Sequence, residues 1–351
     1  MTQAACAPPS GDEPIFVAGP DRSGTSLIFA FLASHPNVSM VRRTNMWRYF
    51  HQRYGDLSRP ENFERCLHDM VRYNRMKHLN PDADRIRREF QQGPATYGRL
   101  FALFHEHHAE SRGKQRWGDK SLHTEYYVDR VSAEYPNARI IHMVRDPRDR
   151  YASVRKRHGR DSARVGAATA RWLFSMRKAR RNLKRYPDQY LIVRYEDLAS
   201  QPEETLRRVC AFIHEAYTPA MLTMDGAPEH RDTGGNSSFG QIQPGAISTS
   251  AIGRFRKVLS SSEIAFIQMW AGRDMEAFGY PREPIRFSLG ERLAFFLVGL
   301  PMSLARMLGW LTLTAIRMRR GSRIPAFRLV DAPKVASEEN AAPLQKAENA
   351  S

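Results

Sequence analysis

The chain is expected to fold as an α/β protein, a three-layer arrangement with a parallel sheet between helices, followed by a helical carboxyl-terminal extension. Three observations predict this. Short runs of β-formers alternate with longer helical patterns. The first such run ends in a glycine-bounded turn that opens a helix. The 351 residues, 42% hydrophobic and 26% charged, suit one large folded domain or two smaller ones, and exclude a disordered chain.

Residues 1–13 are a polar leader without the positive-then-apolar order of a secretory signal, so export is not expected. Pro14-Ile15-Phe16-Val17-Ala18 is a buried strand closed by Gly19-Pro20, and residues 26–34 form a helix ending near His35-Pro36. Residues 58–112 are helical, with breaks at Asn80-Pro81 and Gly93-Pro94. A helix from about Glu125 stops at Pro136-Asn137, and residues 139–144 are a second buried strand. Pro147 takes the first turn of a long basic helix reaching about Tyr186, with Asp146 as its N-cap. Residues 189–193 are a third strand, and 202–214 and 262–279 are helices. The segment 225–250, rich in Gly, Ser and Pro, is a mobile loop. The expected organisation is a domain over 14–285, an amphipathic helical extension over 286–330, and a disordered tail over 331–351.

Cys6, Cys66 and Cys210 are odd in number and far apart, which excludes a disulfide scaffold and fits the reducing cytoplasm. The 54 Lys and Arg against 37 Asp and Glu give a net charge of +17. Nucleic acid, an anionic membrane and a polyanionic small molecule are the three partners such a charge admits. Because 45 of the basic residues are Arg, a bias that genome composition can produce, the location of the charge matters more than its total. Between Arg139 and Arg185 there are 16 Lys/Arg against Asp146, Asp149 and Asp161. That window favours a small nucleotide first, a membrane second, and nucleic acid last.

The strongest local signal is Gly19-Pro20-Asp21-Arg22-Ser23-Gly24-Thr25-Ser26, in the order strand, turn, helix. Its spacing is that of a P-loop with Thr25 in place of the lysine. Backbone N–H groups and the helix N-terminus still converge on an anion, Ser23, Thr25 and Ser26 add hydroxyls, and Arg22 supplies the missing charge. The second strand ends in Arg145 rather than a Walker-B aspartate, which argues against a magnesium nucleotide triphosphate. Arg145-Asp146-Pro147-Arg148-Asp149 with Ser153 makes a second anion site. Two such sites at strand carboxyl ends imply a ligand with two separated anionic groups.

In the order and spacing of these motifs, the chain resembles the sulfotransferases that use 3′-phosphoadenosine 5′-phosphosulfate, a P-loop-like fold. The Arg-Ser-Gly-Thr-Ser loop with His35-Pro36, Trp117-Gly118-Asp119-Lys120-Ser121, the Arg145 motif with Ser153, Tyr195-Glu196-Asp197-Leu198, and Ile252-Gly253-Arg254-Phe255 ahead of Gly279-Tyr280 follow the family's order across about residues 14–281. The resemblance implies that Arg22, Ser23, Gly24, Thr25 and Ser26 cradle the 5′-phosphosulfate. It implies that Arg145 and Ser153 hold the 3′-phosphate, with Arg157 one helical turn on. Tyr195 would contact the adenosine, and Arg254 would reach the nucleotide from a late loop. Arg22 and Lys120 are the implied donors to the leaving phosphate. For the general base the chain departs from its relatives: Arg42-Arg43 stand where protein-tyrosine sulfotransferases carry a Glu, and His123 lies three residues past Lys120 rather than two. His123 is the expected base; Asp119 and His51 are weaker candidates.

No metal is expected. His105, His107 and His108 lack carboxylate or cysteine partners at ligand spacing and are expected on a solvated helix face. Residues 293–316 are nearly uncharged apart from Arg306, with Arg292, Ser303, Arg306 and Arg317 close to one stripe. Such a helix over 289–323 can lie peripherally on the anionic inner face of a membrane, or pack on its own domain or a dimer mate. A hydroxyl or amine of a small molecule, a carbohydrate or a glycolipid is the expected acceptor. The competing readings are an atypical P-loop kinase and a non-catalytic anion- or membrane-binding protein.

Overall fold

The computed structural model describes residues 13–162, 164–232, 243, 245–320 and 324, without the side chains of 157–162 and 320. Strand β1 (Ile15–Ala18) is buried throughout. Ile15 and Val17 enter one core while Phe16 and Ala18 enter another on the opposite face. A strand covered on both faces needs an unbroken apolar run, which is what Pro14 to Ala18 supplies. β4 (Arg139–Val144) is built the same way, with Ile140 and Ile141 in opposite cores.

The sheet has the order β2-β3-β1-β4-β5, all parallel, with β2 at Val38–Arg42, β3 at Arg116–Lys120 and β5 at Tyr190–Arg194. β2 and β3 escape the sequence expectation. β3 reads Arg-Trp-Gly-Asp-Lys and is nevertheless fully buried. Each of its charged side chains has a partner: Arg116 bonds Glu215, Asp119 Oδ2 accepts from Thr44 and Ser121, and Lys120 donates to Ser26. Burial of charge is tolerated only with such partners, and hydrophobic periodicity does not register it.

Between β1 and β4 lie α1 (Thr25–Ala33), α2 (Met46–Tyr49), α3 (Pro60–Arg72), α4 (Ala83–Phe90), α5 (Tyr97–Glu110) and α6 (Val128–Glu134). After β4 come α7 (Pro147–Ser162) and α8 (Val165–Arg185), then, past β5, α9 (Tyr195–Ser200) and α10 (Pro202–Phe212). The chain continues through α11 (Pro228–Asp232), α12 (Phe255–Val258) and α13 (Ser261–Ala277). α14 (Leu289–Ala294) runs through a π-helical turn at Phe295–Gly299 into α15 (Leu300–Arg320). The single basic helix expected over 147–186 is two helices: Arg164 has extended backbone and begins α8 anew. A third core joins α7, α8 and α13 to the extension through Tyr151, Trp172, Phe266, Phe295 and Met307. The segment 225–250 contains α11; its residues 233–242 and 244, and the tail 331–351, lie outside the described residues.

The three histidines of α5 correct the solvated-face expectation. His105 and His108 are buried, His105 stacks on Trp117 at 4.5 Å, and His107 Nε2 pairs with Glu89 at 2.7 Å. Burial holds His105 and His108 at about 4, so both are neutral core side chains. No cluster of three or more metal-ligating side chains occurs among the described residues.

Candidate functional site

The strand order reverses between β1 and β4, the crevice where open α/β sheets bind ligands. The loop leaving β1 is strained into shape there. Gly19, Arg22 and Gly24 all have positive φ (121°, 67° and 89°). A Cβ on Gly19 would lie 2.5 Å from the Met143 carbonyl, so β1 passes β4 only with glycine. Gly19 N–H donates to Glu125 Oε2 at 3.3 Å, and Ser175 donates to Glu125 Oε1 at 2.9 Å. Glu125 is a buried carboxylate that fixes the loop from behind, and sequence reasoning missed it. Arg150, also buried, donates to the Asp21 carbonyl and carboxylate at 2.9 and 2.6 Å, and Arg171 adds a contact at 3.0 Å. Burial alone would raise the Asp21 carboxyl; the two guanidinium groups overcome it and hold it well below the usual carboxylate range.

α1 starts at Thr25 with no side-chain cap on its N-terminus. Ser23 is fully buried and its Oγ has no hydrogen-bond partner in the protein. Lys120 Nζ reaches Ser26 Oγ at 3.1 Å from the end of β3. Burial, then Arg43 and Arg42, bring this lysine down to about 8, with Asp119 opposing. Asp119 is raised to about 6 by burial, against hydrogen bonds from Ser121 and Thr44.

From β4, Arg145 turns toward the same place. It donates to the Arg22 carbonyl at 3.1 Å and the Ala251 carbonyl at 2.8 Å, and lies over the Tyr195 ring at 4.3 Å. Tyr195 packs on Gly24 so closely that a Cβ there would be 2.6 Å from Tyr195 Cδ2. Arg22 Nε donates to Ser153 Oγ at 2.8 Å, joining the loop to α7. The fold thus brings Arg22, Ser23, Gly24, Thr25, Ser26, Lys120, Arg145, Ser153 and Tyr195 together. Arg157 lies on α7, but its side chain is outside those described.

The remaining charges of the Arg145 motif are scaffold. Asp146 Oδ1 accepts the Arg148 N–H at 2.8 Å, capping α7, and the two side chains fork together in the core. Asp149 accepts the N–H groups of Gly253 and Phe255 at 2.6 and 2.8 Å, so it sets the backbone on both sides of Arg254. Glu196 accepts from Asp146 N–H and Tyr280 Oη, tying Tyr195-Glu196 and Gly279-Tyr280 to the end of β4.

His123 sits apart from this cradle. It has φ +70°, stacks on Tyr126, and faces a cavity shared with Arg48, Arg171 and α15. Burial, then Arg48 and Arg171, hold it at about 4 with Asp21 opposing, so it is neutral. A second histidine, absent from the sequence reading, is His230 on α11: burial, then Lys120 and Arg42, hold it at about 4. Glu229 beside it pairs with Arg42. His51 belongs elsewhere, tilted against the Trp47 ring at 5.1 Å and paired with Glu134.

A family model described as the sulfotransferase family matches residues 14–219. A protein of Caenorhabditis briggsae described as a protein-tyrosine sulfotransferase is 26% identical over 212 residues, 59% of this chain and 68% of its own length. Human carbohydrate sulfotransferase 2 is 28% identical over 187 residues, covering 41% of this chain and 35% of that protein, so the match spans only about a third of its length. Among solved structures, the sulfotransferase domain of the Synechococcus PCC 7002 olefin synthase superposes with a TM-score of 0.55 at 21% identity. It covers 81% of this chain and all of that domain, which establishes the shared fold.

Proposed function

The chain belongs to the sulfotransferase family and is a sulfuryl-transferring enzyme, and on that premise we propose that its donor is 3′-phosphoadenosine 5′-phosphosulfate and its acceptor a hydroxyl group. What carries the donor assignment is the pair of basic sites bridged by Arg145, one at the end of β1 and one at the end of β4. The orphaned, buried Ser23 Oγ and the uncapped α1 N-terminus fit an anion in the first site. Ser153 and Arg145 fit a phosphate in the second, Tyr195 offers a ring face beside it, and Asp149 sets the loop that delivers Arg254.

The donor supplies an activated sulfuryl group on a phosphate leaving group. The protein's part is to orient it and to stabilise charge as it develops on the departing oxygen. Lys120, drawn onto Ser26 beside the loop, and Arg22 are the cations for that task. A neutral histidine takes the acceptor proton. His123 is our first assignment, since its Nδ1 is buried without a partner and its side chain lines a cavity. His230 is the second reading, favoured by one observation: it shares the field of Lys120. Transfer of label from sulfur-labelled donor, compared for His123→Ala and His230→Ala, decides between them. The variant of the true base loses at least about 100-fold in kcat while binding adenosine 3′,5′-bisphosphate normally. Unchanged turnover in both rejects a histidine base.

A further inference from the structure

The continuous helix Leu289–Arg319 is 31 residues long and apolar enough to cross a membrane by length and composition. Its inward side packs on the domain through apolar residues: Phe295 and Met307 enter the third core, and Leu300, Trp310 and Leu311 pack against it. The side it turns to the protein includes the small polar residues Ser303 and Thr314, both buried. The fit against α8 is close enough that a Cβ on Gly166 would overlap the Ser303 carbonyl at 1.8 Å. The opposite side leaves Leu293, Leu297, Val298, Leu308 and Leu313 each more than half exposed. The helix is thus apolar on both sides, whereas one that only packs on a soluble domain ordinarily shows a polar outer side. The outward side here has no protein neighbour among the described residues that buries it.

The carboxyl half of the same helix walls the cavity at His123. Trp310, Thr314, Arg317 and Met318 form one side, and Arg48, Arg171, His123 and two tyrosines the other, around a volume of about 80 Å³. The chemistry of this cavity is mixed in a definite way. Three guanidinium groups converge, Arg171 lies over the Trp310 ring at 5.9 Å, and His123 Nδ1 and Tyr126 Oη are buried without hydrogen-bond partners in the protein. Arg171 also bonds Asp21, so the cavity lies one side chain from the β1 loop. Met318 is at once a cavity wall and an exposed apolar residue, and the outward Ile316 lies two residues before it.

We propose that this cavity is the acceptor subsite, that the acceptor is the hydroxylated, anionic headgroup of a membrane lipid, and that the outward apolar face of the helix lies in the lipid surface that delivers it. The occupant follows from charge and polarity together. Apolar side chains partition into acyl chains, guanidinium groups meet the anionic headgroup, and the orphaned His123 and Tyr126 atoms meet its hydroxyls. The proposal rests on the sulfuryl-transfer reading. In the step, the sulfur–oxygen bond to the donor phosphate breaks and a sulfur–oxygen bond to the lipid hydroxyl forms. The bonding pair leaves with the phosphate, and the hydroxyl proton passes to the base.

The test uses the full chain with phosphatidylglycerol as the anionic, hydroxylated probe and phosphatidylcholine as the control. The chain is expected to float with vesicles containing phosphatidylglycerol, and Leu297→Glu/Leu313→Glu to stay behind while keeping its affinity for adenosine 3′,5′-bisphosphate. Calorimetry with dihexanoyl phosphatidylglycerol below its micellar concentration is expected to show saturable binding. That binding should weaken roughly tenfold or more in Arg317→Ala and less in Arg317→Lys. The proposal is overturned if the wild-type chain ignores the vesicles, if both lipids bind alike, or if Arg317→Ala binds as the wild type does. It is equally overturned if the chain sediments as a dimer that the double glutamate variant splits, since the face would then be a subunit interface. Failure of nucleotide binding by the wild type condemns the donor reading; failure of lipid binding with nucleotide binding intact condemns only this one.

Discussion

Removing Arg145 should separate nucleotide binding from folding. Its guanidinium is almost wholly buried and meets the carbonyls of Arg22 and Ala251 and the face of Tyr195, which bind three chain segments to the end of β4. In Arg145→Ala the ligand loses a charge-assisted contact worth about 1.5–3 kcal/mol. That is on the order of 10–10²-fold in Kd for adenosine 3′,5′-bisphosphate by calorimetry. The cation over the Tyr195 ring goes as well, at about 0.5–2 kcal/mol, but that contact lies within the protein and counts toward stability. The two deserted carbonyls cost stability too, about 1–3 kcal/mol, read as a fall in Tm of several degrees. Arg145→Lys keeps the charge but loses the planar fork and its stacking, so its affinity should lie between. A cooperative melt with a Kd within about threefold of wild type would refute the assignment of Arg145 to the 3′-phosphate.

Lys120 carries its charge below about 8 and loses it above, so kcat/KM should fall as pH rises through that value. Lys120→Met should abolish the alkaline limb and lower kcat, by about 10²-fold if it stabilises the leaving group; an alkaline limb that persists removes the lysine from the mechanism. Gly24→Ala forces a side chain into left-handed backbone against Tyr195. It should cost about 1–3 kcal/mol in urea unfolding and weaken nucleotide binding together, and a neutral effect on both would mean that the Tyr195 contact is incidental.

How far the sequence foretold the molecule depended on where each residue's partners lie. β1, its glycine turn and α1 were legible because one contiguous segment carries the apolar run, the turn residues and the helix start. β2 and β3 were not, since β3 buries Arg116, Asp119 and Lys120 against partners up to 103 residues away. In Arg145-Asp-Pro-Arg-Asp-Arg the charge was visible but its division of labour was not: Arg145 alone faces the cradle, while Asp146 and Arg148 pair with each other. Asp149 holds the Arg254 loop and Arg150 holds Asp21. Glu125 went unseen because its contact with Gly19 spans 106 residues, and His230 because α11 lies inside a segment without periodicity. The extension was legible as a helix. That apolar side chains also line its outward side became visible only in the exposure of residues such as Leu297 and Leu313.

The central claim is that the β1 and β4 sites together hold a 3′-phosphorylated adenosine nucleotide. Calorimetry of the full chain with adenosine 3′,5′-bisphosphate, and separately with ATP and Mg²⁺, tests it most directly. The account predicts saturable one-to-one binding of the bisphosphate without added metal and at least tenfold weaker binding of ATP/Mg²⁺. Folded protein that ignores the bisphosphate, or prefers ATP/Mg²⁺, would contradict it.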